Sequence, residues 1–351
     1  MFPPRNLILP AIFCAALLVP ALGAAPEENG VPADTRPPQC RQAIPDGKKF
    51  GGPRERGGNA PRGGRFMKLK TALESSCYTD DEKQMIRDVS RKFVQKEFTA
   101  ADGTVVKYNL FVPEIYDGSQ SLPLVLFVHD AGQLSEDTKN ALLQGTGAIA
   151  FASPEDQAKH PCFVLAPQYP SVTTDAACAQ AVATLELIDA LCDEYRIDRT
   201  RLYNTGQSMG GILALAVNAA HPELFAASVL VACQNEGDAG TLANFADKPM
   251  WILVAEGDPK AFPGMQEACK IWRAAGAKIA EAQWDGSLDA EAFAEHADRL
   301  RAADANIRFV HFALGSVNSA DFGGPAKEHM ATWPVAYRIR GVRDWLFEQH
   351  Q

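Results

Sequence analysis

The sequence predicts an α/β fold, with a mostly parallel central sheet flanked by helices. Three observations support this class. Apolar, strand-like runs alternate with helix-forming runs from residue 122 onward. The run 122–128 is continuously apolar, as in strands buried on both faces. A third run, 201–205, ends in Gly-Gln-Ser-Met-Gly-Gly and leads directly into a helix-forming segment. With 351 residues, 46% of them hydrophobic, the chain can form one large domain.

The first 25 residues have the pattern of a secretory signal peptide. Arg5 precedes an apolar run over 7–19, and small residues follow up to Ala25. A short apolar run between a basic start and a small-residue cleavage site is typical of such signals. We therefore predict a signal peptide over 1–25 and an exported protein, periplasmic or secreted.

Residues 26–65 are rich in Pro, Gly and basic side chains and predict a disordered arm. Between positions 41 and 70, nine Lys and Arg residues oppose two Asp and Glu residues. We interpret the arm as a solvated linker; contact with nucleic acid, an anionic envelope polymer or membrane phosphate is the alternative. Because the whole chain has a net charge of −9, we expect no nucleic-acid partner. No internal run reaches the roughly 20 apolar residues of a membrane span.

The folded α/β domain is predicted over 66–351, beginning with an amphipathic helix over 66–92. Two β-prone runs, 93–98 and 105–112, flank an Asp-Gly turn and predict a hairpin. A similar sequence before each of the last two strand-like runs indicates one additional helix-strand unit. The later predicted strands are 162–166, 201–205, 227–232, 250–255, 279–284 and 307–313, and the predicted helices are 138–152, 175–195, 263–275 and 335–349.

The segment 205–211 has the Gly-x-Ser-x-Gly pattern of a nucleophile elbow between a strand and a helix. A serine on such a sharp turn has strained backbone torsions. Glycines at 206 and 210 keep side chains away from the neighbouring strand and helix. The helix that follows begins with amides that can stabilise an oxyanion. The motif therefore predicts that Ser208 is a catalytic nucleophile.

A nucleophilic serine needs a general base, and in this motif's chain order the histidine comes last. Three histidines lie at a plausible distance after the serine. His329 follows a Gly/Pro-rich segment after the last predicted strand, where the rim of an α/β site forms, and is the predicted base. His296 is expected to be solvated on a helix, and His311 to lie within a strand.

The predicted acid is Asp258, which leaves the strand-like run 250–255 in a turn. A carboxylate there can hold the imidazole in one tautomer. The alternative is a structural Asx turn before Pro259. Glu256 and Asp285 are the other candidate acids, because the additional helix-strand unit separates this turn from the histidine.

The predicted oxyanion donors are the backbone N–H of Met209 and one from the loop after the run 122–128. Ala131 is the first choice in that loop and Asp130 the second. Gln207 and Tyr169 are candidate substrate-binding residues. Because the sequence has no dinucleotide-binding G-x-G-x-x-G, no P-loop and no H-E-x-x-H, we expect no cofactor and no metal.

At these motifs the chain resembles the α/β-hydrolase superfamily. It is most similar to the exported esterase and peptidase branch related to phospholipase/carboxylesterase, feruloyl esterase and polyhydroxybutyrate depolymerase proteins. The resemblance implies an eight-stranded hydrolase sheet and triad roles for Ser208, Asp258 and His329. Relatives usually carry His-Gly where this chain has His129-Asp130, and their acid loop is often longer. The resemblance covers 93–350, with shared stretches at 122–132, 148–155, 161–170, 205–211 and 328–333.

Together these features predict an exported serine hydrolase that cleaves small-molecule carboxylic esters through an acyl-enzyme. A serine peptidase acting on short peptides would use the same triad and stays open as an alternative. A second alternative is a non-catalytic envelope-binding protein, an inactive hydrolase fold tethered through the basic segment 41–65. The sequence makes no prediction of the oligomeric state.

Overall fold

The computed structural model describes residues 71–351, except 319, 322, 325 and 326. The predicted signal peptide (1–25) and basic arm (26–65) lie outside the described residues. The strands in chain order are β1 (Val94–Thr99), β2 (Val105–Phe111), β3 (Leu122–Val128), β4 (Phe163–Gln168), β5 (Ile197–Gln207), β6 (Ala227–Val231), β7 (Met250–Ala255), β8 (Ile279–Trp284) and β9 (Ile307–Phe312).

These strands form a nine-stranded sheet in the order β1-β2-β4-β3-β5-β6-β7-β9-β8. The hairpin β1–β2 and the pair β2–β4 are antiparallel, and the other six pairs are parallel. The predicted α/β-hydrolase architecture is confirmed. The resemblance implies eight strands, and the described sheet has nine. The predicted additional unit accounts for the difference, because β9 pairs with β7 and β8 is added at the edge beside β9.

The central strands are buried on both faces. In β3, Leu124 and Leu126 pack in one core cluster, whereas Val125 and Phe127 pack in the other. Successive side chains of a strand point to opposite faces, so a strand covered on both sides needs a continuous apolar run. The apolar pattern therefore places this strand in the middle of the molecule.

Helices cover both faces. Side chains of the helices within 179–274 pack in the first cluster, and those of helices within 80–151 and 290–347 pack in the second. No helix in the described part of the chain is long and apolar enough to cross a membrane. The helices are α1 (Asp80–Ser90), α2 (Asn140–Leu143), α3 (Gly147–Phe151), α4 (Pro154–Lys159), α5 (Ala179–Glu194), α6 (Met209–Ala220), α7 (Ala239–Ala243), α8 (Ala261–Ala274), α9 (Ala290–Arg301), α10 (Lys327–Arg338) and α11 (Arg340–Phe347).

The predicted helix over 66–92 is too long, because α1 begins only at Asp80 and residues 71–79 form turns. Thr79 sets this boundary with a capping box. Its hydroxyl accepts the N–H of Glu82 at 3.2 Å, and Glu82 accepts the N–H of Thr79 at 2.8 Å. These bonds satisfy N–H groups that a helix start leaves without partners.

The predicted closing helix over 335–349 is also incorrect. It is two helices, α10 and α11, and α10 already begins at Lys327 and contains Pro334. All residues from Ala331 to Tyr337 are buried, so packing outweighs the loss of one helical hydrogen bond at the proline. Ile339, in an extended conformation, separates the two helices. The predicted helix 138–152 is likewise divided, into α2 and α3.

Candidate active site

Ser208 lies on the sharp turn between β5 and α6. Its backbone has φ 51° and ψ −114°, a strained conformation for a residue with a side chain. Two hydrogen bonds hold it there. The N–H of Ser208 donates to the carbonyl of Val231 at 3.0 Å, and its carbonyl accepts the N–H of Ile212 at 3.0 Å. The hydroxyl is thus presented at the carboxyl edge of the sheet.

The elbow glycines are required by close backbone approach. A Cβ on Gly206 would lie 2.5 Å from the carbonyl carbon of Gly210. A Cβ on Gly210 would lie 2.0 Å from the carbonyl oxygen of Val128. Both distances are well below van der Waals contact, so a side chain at either position would force β3, β5 and α6 apart.

Three side chains from distant segments meet at this turn. The Nε2 of His329 lies 2.9 Å from the Oγ of Ser208, and its Nδ1 is hydrogen-bonded to the carboxylate of Asp258. The Asp258 carboxylate accepts a hydrogen bond from the Nδ1–H of His329, which leaves Nε2 free to accept a hydrogen bond from the serine hydroxyl. The structure brings together the three residues predicted as nucleophile, base and acid.

Asp258 is 2% exposed and uses both carboxylate oxygens. Oδ2 faces His329, while Oδ1 accepts the N–H groups of Lys260 at 3.0 Å and Ala261 at 2.9 Å. Asp258 therefore also makes the backbone hydrogen bonds of the Asx-turn alternative, through Oδ1, while Oδ2 is bonded to His329. Burial would raise the pKa of this carboxyl, but the hydrogen bonds, above all that from His329, outweigh it and hold the pKa below its usual range. Asp258 is ionised at neutral pH.

His329 lies in the first turn of α10 rather than in the predicted loop. Trp333, one turn later, packs edge-on against its ring with centroids 5.8 Å apart. Glu328 fixes the surroundings: it accepts the N–H of Gly257 at 3.0 Å and that of Gly315 at 3.2 Å. Sequence reasoning missed this role of Glu328. The available signal was an acid directly before the histidine.

The other candidate acids bond other groups. Glu256 bonds the Nδ1 of His311 at 2.8 Å, and Asp285 accepts the N–H of Ser287 at 2.8 Å. His296 is partly buried on α9 and packs against the ring of Trp284, which corrects the expectation of a solvated side chain. His311 lies within β9, as predicted.

Two predicted oxyanion donors each begin a helix. Met209 is the first residue of α6, and Ala131 is the first residue of a 3₁₀ helix, Ala131–Gln133. The first N–H groups of a helix have no acceptor within it. Asp130, the second choice, does not offer a free amide, because its N–H donates to the Oε1 of Gln144 at 3.3 Å.

The predicted substrate contacts of Gln207 and Tyr169 need correction. Tyr169 is fully buried, and its hydroxyl bonds the hydroxyl of Thr184 at 2.8 Å. Gln207 is 1% exposed and donates to the Oε1 of Gln144 at 2.9 Å. Both side chains point into the protein and do not line an open site. Within the described ranges, no three His, Cys, Asp or Glu side chains form a group that could hold a metal ion.

A comparison with one solved structure agrees with this fold. The crystal structure of a thermostable esterase is 27% identical with a TM-score of 0.61, and the match covers 75% of this chain and 64% of that chain. This chain therefore spans less than two thirds of that esterase chain. A ferulic acid esterase is 13% identical with a TM-score of 0.42, over 53% of this chain and 86% of that chain. No curated protein matches this sequence.

One family model, Esterase PHB depolymerase, matches residues 106–299. The matched range is more than half of the chain and includes Ser208 and Asp258, but it ends before His329. The predicted resemblance to an esterase branch of the α/β-hydrolases is confirmed by this match. The chain belongs to the Esterase PHB depolymerase family.

Proposed function

We propose that the protein is a serine hydrolase that cleaves small-molecule carboxylic esters through an acyl-enzyme. The observation that carries this proposal is the 2.9 Å contact between the Ser208 hydroxyl and the Nε2 of His329, whose Nδ1 is bonded to Asp258. Family membership and the 27% identity to a thermostable esterase support an ester as the substrate.

In acylation, the Oγ of Ser208 attacks the ester carbonyl while its proton moves to Nε2 of His329. Asp258 stabilises the imidazolium that forms. The negative oxygen of the tetrahedral intermediate is held by the amides of Met209 and Ala131. When the C–O bond to the alcohol breaks, His329 returns the proton to the departing alkoxide oxygen. The products of this half-reaction are the free alcohol and an acyl ester of Ser208.

In deacylation, water takes the place of the alcohol. His329 removes a proton from the water as its oxygen attacks the acyl carbon, and then returns that proton to the Oγ of Ser208. The carboxylic acid leaves and the free hydroxyl is restored. The sum of the two half-reactions is ester plus water to acid plus alcohol, with no other reactant.

Labelling with a fluorophosphonate probe tests this mechanism in the full chain. Wild type should label, Ser208→Ala and His329→Ala should not, and Ser287→Ala, which removes an exposed serine hydroxyl, should label normally. Hydrolysis of p-nitrophenyl acetate but not of aminoacyl p-nitroanilides is expected from an esterase. Folded wild type that fails to label would overturn the mechanism, and cleavage of the anilides alone would favour the peptidase.

We also propose that the chain is exported through residues 1–25, a proposal supported by the sequence pattern. Expression with a C-terminal tag, followed by N-terminal sequencing, tests it. The mature protein should begin close after residues 23–25. An intact N-terminus in the tagged protein would contradict export by this signal.

A further inference from the structure

Asp130 is a buried carboxylate directly before the proposed oxyanion donor Ala131. Asp130 is only 2% exposed and lies two residues after the end of β3. Oδ1 accepts the N–H of Gly132 at 2.7 Å. This bond caps the 3₁₀ helix that Ala131 begins, and it fixes the backbone from residue 130 to residue 132.

The second carboxylate oxygen reaches the nucleophile elbow. The Nε2 of Gln207 lies 3.4 Å from Oδ2 of Asp130 and 2.9 Å from Oε1 of Gln144. The same Oε1 accepts the N–H of Asp130 at 3.3 Å. Asp130, Gln207 and Gln144 therefore form a closed ring of buried hydrogen bonds. Gln144 is itself anchored, since its Nε2 donates to the carbonyl of Ala141 at 2.9 Å.

This ring joins the two segments that carry the proposed oxyanion donors. Asp130 directly precedes Ala131, and Gln207 is separated from Met209 by the nucleophile alone. The two amides come from different elements, and both must point at one oxygen atom to stabilise it. A buried link between those elements sets their separation, and small errors in such geometry reduce rates strongly.

We propose that Asp130 is a positioning residue of the oxyanion hole, whose ionised carboxylate fixes the Ala131 amide relative to the elbow through Gly132 and Gln207. This inference rests on the proposed function, because it assumes that an oxyanion forms at Ser208. The alternative is a buried charge without a positioning role. A negative charge near a developing oxyanion would then only oppose it, so its removal would raise the rate.

The hydrogen bonds favour the ionised form. Both partners of the carboxylate are N–H donors. If one carboxyl oxygen were protonated, its O–H would point at an N–H group and that hydrogen bond would be lost. Burial raises the pKa of Asp130 to about 6, although the bonds from Gly132 and Gln207 act in the opposite direction. Protonation below that pH should therefore loosen the ring.

Three titratable groups face this carboxyl from the surrounding elements. His329 on α10 favours its ionised form. His129 is fully buried; burial lowers its pKa to about 4 despite its bond to the carbonyl of Asp130, so it is neutral. Tyr78, in the turns before α1, is neutral because burial raises its pKa. Because His329 is the proposed base and is present in both proteins, comparing wild type with Asp130→Asn isolates the contribution of Asp130.

The test compares wild type, Asp130→Asn and the control Asp289→Asn on p-nitrophenyl acetate. Asp289 caps α9 by accepting the N–H of Ala292 at 2.9 Å, so the control removes a similar capping charge on the surface. At about pH 8, Asp130→Asn should lower kcat by roughly 10- to 100-fold with KM changed less than about threefold. The Asn side chain can still accept from Gly132, but it presents an N–H to Gln207. The control should match wild type.

The pH profile gives a readout that a merely structural role would not move. If Asp130 must be ionised, log kcat of wild type should fall more steeply below about pH 6 than log kcat of Asp130→Asn, which has no carboxyl at this position. If Asp130→Asn does not fold, Gln207→Met carries the test, because it removes the donor to Oδ2 and leaves the carboxylate in place.

A folded Asp130→Asn variant with unchanged or higher kcat would overturn the positioning role. In that case normal fluorophosphonate labelling and hydrolysis by wild type would leave the proposed function standing. Wild type that neither labels nor hydrolyses esters would instead remove the proposed function, and the inference with it.

Discussion

Two histidine–carboxylate pairs lie side by side at the ends of β7 and β9. In the first, Nδ1 of His329 is bonded to Asp258; in the second, Nδ1 of His311 is 2.8 Å from Glu256. Both acids belong to the same short loop after β7. The pairs differ at the other nitrogen. Nε2 of His329 lies 2.9 Å from the Oγ of Ser208, whereas Nε2 of His311 lies 3.7 Å from a second carboxylate, Glu281.

The acids differ in burial as well. The Asp258 side chain is 2% exposed, and that of Glu256 is 20% exposed. A carboxylate that orients an imidazole is thus not sufficient to identify a catalytic site. The group on the opposite ring nitrogen decides whether the oriented imidazole can activate a nucleophile or only take part in packing and charge pairing.

The largest difference is expected between the two histidines. His329→Ala should reduce kcat for p-nitrophenyl acetate by about 10⁴-fold or more, because the serine loses its base. His311→Ala should change kcat by less than about fivefold. Both variants are compared at equal folded concentration, measured by circular dichroism. Similar losses in the two would break the distinction between the pairs.

The acids should show the next largest difference. Asp258→Asn keeps the shape of the side chain but no longer favours the correct tautomer of His329, so kcat should fall by about 10³- to 10⁴-fold. Glu256→Gln can still accept from His311, and we expect a loss of less than about fivefold. If the Gln variant were the less active of the two, the orienting acid would be Glu256.

At acid pH the two pairs should differ in how much they contribute to the free energy of unfolding. The folded-state pKa values of Asp258 and Glu256 both lie below their ordinary values, despite burial, because each accepts hydrogen bonds. Such a carboxyl contributes stability that is complete above its unfolded pKa, near 4, and is lost as the pH falls through its folded pKa.

The free energy of unfolding by urea, measured from about pH 7 to pH 2.5, checks this contribution. The fall below about pH 4 should be smaller in Asp258→Asn than in wild type, and only slightly smaller in Glu256→Gln, whose side chain is more exposed. A curve for Asp258→Asn that parallels wild type would contradict the low pKa of the buried acid.

The smallest effect is expected at Glu281, which lies on the far side of His311. Its side chain is 36% exposed and pairs with Arg273 at 2.5 Å. Exposed ion pairs contribute little, so Glu281→Gln should lower the free energy of unfolding by less than about 1 kcal/mol. Its kcat should equal that of wild type. A loss of activity here would mean that the second pair supports the first.

The fold can be predicted well from the sequence where the pattern is local and repeated. The apolar runs 122–128 and 250–255 are β3 and β7 with those same bounds, because a strand covered on both faces needs apolar residues throughout. Helix ends are less predictable. Thr79 caps the start of α1 through hydrogen bonds with Glu82, and Pro334 is accepted within α10 because its neighbours are buried.

In the candidate site, too, some residues are predictable from a local sequence pattern and others are not. Ser208 is visible in the sequence because its turn needs glycines at fixed spacing. Gln207 and Tyr169 border the same edge of the sheet, but their side chains turn inward, toward Gln144 and Thr184. Residue order at a strand end does not reveal side-chain direction, since the alternation along the strand stops there. Glu328 bonds the amides of Gly257 and Gly315, and in the sequence it is marked by its place directly before His329.

The place of β9 has a consequence for how the molecule folds. In the described sheet β8 precedes β9 in the chain, yet it pairs with β9 and not with β7. In this sheet β8 is joined to β7 through β9, so the edge is complete only when β9 lies between them, and long-range parallel pairing of this kind is slow. The same chain segment then leads to His329, which is 121 residues from Ser208. The rate at which fluorophosphonate labelling returns during refolding would therefore measure how fast this edge of the sheet forms.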